Sequence, residues 1–189
     1  MAALLATLAM LGGAWPNAVI DWQPGRVASE PWRTLTPVAL HYSLLHLGAN
    51  LLGCALVAAL GHAARVPTRA AWAWLAAWPL THLGLLAQPA LLHYGGLSGV
   101  LHAGVAVACV HLLVAAHGRP RLIGALLMLG LLSKIALERP WATVLSHPAG
   151  WDMAVAPAAH ASGVLAGVLC ALAAHCLNSA HAPRQSADA

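Results

Sequence analysis

From Ala70 to Gly118 the chain carries no Asp, Glu, Lys or Arg. A soluble domain places charge on about a quarter of its residues, whereas here 7% are charged and 60% are hydrophobic. One membrane crossing takes about 20 residues. The uncharged run is therefore too long for one span and long enough for two with a connection between them. That connection holds Gln88, Pro89, Gly95 and Gly96, and Ser98 stands where the second span begins. A serine at membrane depth must face protein or a water-filled cavity, because lipid offers its hydroxyl no partner.

Four more stretches lack charge: 1–20, 34–64, 122–133 and 153–183. Together they predict an all-α membrane protein, a bundle of six transmembrane helices near 2–20, 39–60, 70–87, 98–116, 121–138 and 153–177. The whole chain, 1–189, reads as one domain, with 178–189 as a polar, disordered tail. The connection before the fourth helix is expected to dip into the membrane. The apolar N-terminus lacks the basic n-region of a signal peptide, so it is expected to stay as the first span.

Charge also sets orientation. With the N-terminus inside, the inner segments hold Arg65, Arg69, Arg119, Arg121 and Arg184, and the outer ones hold Arg26, Arg33, Lys134 and Arg139. Counting Lys and Arg favours that arrangement, five to four. No basic run exists, which argues against nucleic acid as a partner. Trp15, Trp22, Trp32, Trp141 and Trp151 fall near span ends, where an interfacial belt would place them, and Trp72, Trp74 and Trp78 face lipid or pack. Cys54, Cys109, Cys170 and Cys176 lie inside spans without a Cys-x-x-Cys pair and read as small core residues, not a metal site.

Three groups of polar residues recur within these spans. His46 and Asn50 are four residues apart and share a helix face, while His41 lies a turn earlier and points elsewhere. They read either as functional groups or as interhelical hydrogen-bonding glue. His160, Gly163 and Gly167 share one stripe, so the histidine is held against a neighbouring helix rather than lipid. A serine needs a base to accept its proton, and an imidazole suits that role near neutral pH. No acid lies in the inner parts of the spans, so Ser98 and His160 read as a Ser-His dyad. The Ser98 amide, Asn50 and His46 are candidate oxyanion donors, and Gly96 and Gly99 permit a tight turn and close approach of a substrate.

Lys134 and Glu138, spaced i, i+4, read as an intrahelical ion pair or a substrate contact. His102, one turn after Ser98, reads as packing or a site contact. His62, His117, His147, His175 and His181 fall at loops or ends.

With Trp32-Arg33, His41, His46, Asn50, Gly96-Leu97-Ser98-Gly99, His160, Gly163 and Gly167 in place, the chain resembles the rhomboid intramembrane serine proteases of the six-span bacterial type. The resemblance runs from Trp32 to Gly167. It implies Ser98 as nucleophile, His160 as base, and an oxyanion hole of Asn50, His46 and the Ser98 amide. It also implies a bacterial inner membrane location, an active site open to the periplasmic face, and no cofactor. A narrower likeness, through Trp32-Arg33-Thr34-Leu35-Thr36, Tyr94 to His102, and Lys134 with Glu138, is to the rhombosortases. Ala103 departs from the glycine expected there. That subfamily implies protein substrates with a Gly-Gly C-terminal sorting tail, cut by hydrolysis or transferred to an amine. Two rivals stand beside it: an inactive rhomboid-like protein that binds spans without cutting, and a helical bundle holding haem or metal, for example between His82 and His102.

Overall fold

A computed structural model describes residues 1–15 and 17–181. Its six α-helices are α1 (Ala2–Gly12), α2 (Leu44–Ala63), α3 (Thr68–Leu83), α4 (Ser98–Ala115), α5 (Arg119–Glu138) and α6 (Pro157–His181). No β-strand occurs among the described residues. Among the described residues four helices are, by length and composition, long and apolar enough to cross a membrane: α2, α4, α5 and the Pro157–Asn178 part of α6.

The helix ends have local causes. α1 stops at Gly12 rather than running to 20, because Gly13 adopts φ +72°, a left-handed cap that side chains with a Cβ resist. α2 begins at Leu44 instead of 39: a 3₁₀ turn, Thr36–Ala39, and extended residues precede it, and Ser43 caps it by accepting the His46 N–H. α3 ends at Leu83 and tightens into a 3₁₀ turn, Gly84–Ala87. α5 starts with Pro at its first turn, where the missing N–H is harmless, and ends with Arg139 in the left-handed region. α6 starts at Pro157 rather than 153 and continues through His181, into the stretch expected as tail. Residues 182–189, the rest of that tail, lie outside the described residues.

α4 is the centre of the bundle. It packs on α6, α5, α3 and α2, and 11 of its 18 residues are buried. Small residues make this closeness achievable. A β-carbon at Gly163 would overlap the carbonyl of Gly99, and one at Gly167 would crowd the carbonyl of Ala103, so the stripe brings two backbones together as small residues do in lipid. Trp74 and Trp78 pack inward, donating their indole N–H groups to the Val100 carbonyl at 2.7 Å and the Leu35 carbonyl at 3.2 Å, while Trp72 is exposed. Trp22, expected in an interfacial belt, is fully buried instead. Its backbone pairs with Tyr94, N–H to carbonyl in both directions, and this holds the first long loop against the connection before α4.

That loop is knotted on a buried guanidinium. Arg33 Nη1 donates to the Asp21 carbonyl at 2.6 Å and the Asp21 carboxylate at 2.9 Å, and Nε donates to Glu30 at 2.6 Å. His82 on α3 donates from Nδ1 to the Thr34 carbonyl at 2.6 Å, because a carbonyl can only accept. The loop is thereby fixed to α3.

Candidate active site

One topological fact brings the acid and the imidazole behind Ser98 together. α5 rises toward the end of the bundle where α4 and α6 begin, so its last turn lies level with their first turns. Ser98 opens α4, just after Gly96, whose φ is +136° and whose N–H donates to the Pro37 carbonyl at 2.8 Å. A glycine there tolerates a backbone that side chains resist, and the turn sets the serine at the head of the helix. Gly99 next to it contacts α6 closely at Ala159.

The Ser98 Oγ lies 2.9 Å from His160 Nε2. His160 is 5% exposed, and its other nitrogen, Nδ1, lies 2.7 Å from Glu138 Oε2. Glu138 also takes the Lys134 ammonium on Oε1, and Lys134 Nζ stands 3.3 Å from His160 Nδ1. The intrahelical pair expected from the sequence is present, but Glu138 has a second partner that i, i+4 spacing does not disclose. The expectation of a site without an acid is thus corrected: a carboxylate sits directly behind the imidazole, at the end of α5 rather than in the interior of a span.

His102 contributes from the same side. Its ring stacks on that of His160, with centroids 4.2 Å apart and planes at 15°, and its Nδ1 donates to the Ser98 carbonyl at 2.7 Å. It therefore both packs and touches the site. His46 accepts the Tyr42 backbone N–H on Nδ1 at 3.3 Å. A backbone N–H can only donate, so in the neutral ring the proton sits on Nε2. Asn50 is 4% exposed, and its side-chain Nδ2 has no hydrogen-bond partner among the described residues. A buried amide hydrogen without an acceptor is costly, and this one borders a cavity.

His41 lies before α2 rather than on it. It is buried edge-on to His46, with ring centroids 4.8 Å apart, and burial pushes its pKa down to about 4, so it supports the His46 ring as a neutral group. Of the Trp32-Arg33 pair, Arg33 belongs to the buried loop knot while Trp32 is exposed. His82 and His102, the candidate haem pair, are each bonded to a backbone carbonyl, and no cluster of three or more His, Cys, Asp or Glu able to hold a metal occurs among the described residues.

Ser98, His160, Asn50 and His46 all border one cavity of about 490 Å³. Its walls come from α2 (Gly53, Leu56, Val57) and α5 (Leu131, Lys134), and the segment between α5 and α6 covers it with Leu145, Trp151 and Met153. Apolar walls with a few convergent polar groups at the floor are the common form of a binding site. Ser146 and Val155 pair backbone to backbone, which folds the covering segment over the opening.

A hydroxyl beside an imidazole nitrogen, with a carboxylate behind the ring and an apolar cleft above, is the kind of arrangement that suits nucleophilic catalysis. Residues 28–176 match the family model described as Rhomboid domain. Among curated proteins and among solved structures no match to the chain is found. The family match spans well over half of the sequence and includes every residue of the site, so the chain belongs to the rhomboid family of intramembrane serine proteases.

Proposed function

We propose that the protein is an endopeptidase that cuts transmembrane or C-terminally anchored segments with Ser98 as nucleophile and His160 as general base. The observation that carries this reading is the 2.9 Å approach of Ser98 Oγ to His160 Nε2 at the floor of an apolar cavity. As Oγ attacks the scissile carbonyl, its proton passes to Nε2. The carbonyl oxygen becomes an oxyanion, received by the Ser98 N–H at the head of α4, the free Asn50 amide hydrogen and His46 Nε2–H. Collapse expels the amine with the proton from Nε2 and leaves an acyl-serine. Water then repeats the cycle and releases the new C-terminus.

The bilayer arrangement belongs to the same proposal. α3 with its 3₁₀ extension reaches about 30 Å, enough to cross, and α1, about 16 Å long, completes six spans where the bilayer thins to meet it. Arg65, Arg69, Arg119 and Arg121 cluster at the end opposite Ser98. By the positive-inside tendency that end is cytoplasmic, and the site opens to the outer face of a bacterial inner membrane. The likeness to rhombosortases supplies the substrate: a secreted protein whose tail carries Gly-Gly before a hydrophobic span. Glycines unwind a helix readily, which exposes the bond to be cut.

A fluorophosphonate probe tests the reading. Wild-type protein in detergent is expected to label, and Ser98→Ala to remain unlabelled. Equal labelling of the two would remove Ser98 from the mechanism. Co-expression with a Gly-Gly-tailed secreted protein, with the new C-terminus read by mass spectrometry, tests the substrate.

A further inference from the structure

The carboxylate behind His160 is not needed to explain a Ser-His pair, yet its geometry is selective. His160 Nδ1 faces two groups on α5 with opposite demands. If Nδ1 carries the proton it donates to Glu138, and Nε2 is left with a lone pair toward the Ser98 hydroxyl. If Nδ1 is bare it can accept from the Lys134 ammonium. Nε2 then carries the proton, and the ring can only donate to Ser98, which leaves the hydroxyl unactivated.

The distances and the occupancy of the ammonium separate the two cases. Glu138 Oε2 is 2.7 Å from Nδ1, whereas Lys134 Nζ is 3.3 Å away. Lys134 is already bound to the other carboxylate oxygen, Oε1. Glu138 thus uses one oxygen on each neighbour: Oε1 holds the lysine and Oε2 holds the imidazole. Its side chain is 23% exposed and that of His160 is 7% exposed, so water competes weakly for the bond.

We propose that Glu138 is a positioning residue that fixes His160 with its proton on Nδ1, making the site a Ser98-His160-Glu138 relay, and that Lys134 fastens the Glu138 carboxylate in place. The assignment rests on the protease reading above. During attack, Nε2 takes the Ser98 proton and the ring becomes an imidazolium, whose charge Glu138 balances at Nδ1 without itself accepting a proton. Lys134 keeps the carboxylate from swinging to solvent, but its own charge opposes the imidazolium. Its removal therefore has two partly cancelling effects, whereas removal of the carboxylate has none that compensate.

This asymmetry separates the relay from a merely structural ion pair. Glu138→Gln, Lys134→Gln and Glu138→Asp would be compared with wild type for cleavage of a rhomboid model substrate in detergent, with thermal unfolding as a check on the fold. The relay predicts that Glu138→Gln lowers kcat about 10²–10⁴-fold with KM nearly unchanged. Lys134→Gln is expected to lose less than about tenfold, and Glu138→Asp to recover part of the rate. The 15N spectrum of histidine-labelled protein supplies a readout independent of turnover: in wild type the His160 Nδ1 is expected to be protonated, and in Glu138→Gln the proton is expected to shift toward Nε2. Equal losses in the Glu138→Gln and Lys134→Gln variants, or a Glu138→Gln rate within threefold of wild type, would overturn the relay; with Ser98→Ala inactive, the protease reading would survive. Should wild type prove inactive, the protease reading fails, and the nitrogen spectrum alone decides whether Glu138 sets the tautomer: a wild-type proton on Nε2 overturns it. If Glu138→Gln fails to fold, Glu138→Asp must still show the proton on Nδ1.

Discussion

Two clusters of charge sit near the same end of this bundle, and they are built on opposite principles. Around Arg33 every donor in use points at an acceptor: the Asp21 carbonyl and carboxylate, the Ala18 carbonyl and Glu30. The guanidinium is 1% exposed and borders no part of the cavity over Ser98. Around Ser98 the groups form an open chain, Lys134 to Glu138 to His160 to Ser98, which runs out at the cavity wall beside the unpartnered Asn50 amide hydrogen. A buried network that closes on its own loop holds a shape. The open one ends at a hydroxyl on the wall of an apolar cavity, which is the arrangement the proposed chemistry needs.

The largest expected effect breaks the open cluster at its base. His160→Ala should lower cleavage about 10⁴–10⁶-fold while thermal unfolding in detergent changes little, since the site is not what holds the helices together. A large fall in unfolding temperature with retained cleavage would reverse the contrast. The matching break in the closed cluster is Arg33→Met, which removes the guanidinium from the buried Asp21 carboxylate and leaves it only His93 and Gln23 as side-chain partners. Removing one partner of a buried pair costs about 3–5 kcal/mol, so the variant should unfold far more readily. Any cleavage lost should return in proportion to the fraction folded.

How far the sequence disclosed each cluster follows from how each is assembled. α4 was legible down to its first residue because Ser98 follows Gly95-Gly96 and opens an uncharged helix-length run. The early stop of α1 was not legible from charge, which is absent as far as Ile20, whereas Gly13 ends the helix through its backbone. His46 with Asn50 followed from spacing on one helix. Glu138 did not, because its partner His160 lies on another helix and its neighbour Lys134 already accounted for its charge. Topology carried the missing signal, since the last turn of α5 must lie level with the first turns of α4 and α6. Arg33 was visible as a charge beside a tryptophan, but burial of its guanidinium required a loop fold that no periodicity encodes.

Asn50→Ala tests the unsatisfied end of the open cluster. Loss of one oxyanion donor typically costs about 10²–10³ in rate, less than loss of the base. The fold should not suffer, and could gain, because the substitution deletes a buried donor that has no partner. A slower and equally stable variant would sharpen the contrast; an unchanged rate would take Asn50 out of the oxyanion hole.

The smallest expected effect lies where the helix carrying His46 and Asn50 meets the segment that covers the site. Ser43 accepts the His46 N–H at 3.0 Å as the cap of α2 and donates its hydroxyl to Asp152 at 2.7 Å. Ser43→Ala removes both bonds. Loss of a serine cap costs about 1 kcal/mol, or about 2–4 °C in unfolding temperature for a chain of this size. Asp152→Ala keeps the cap but removes the acceptor of the hydroxyl, so it should shift the unfolding temperature less. If the hydroxyl also tethers the covering segment, the two variants should lower KM or raise it together, with kcat held, because the tether governs access rather than proton transfer. A change in kcat would instead mean that Ser43 acts through the ring of His46, joining the cap of α2 to the open cluster itself.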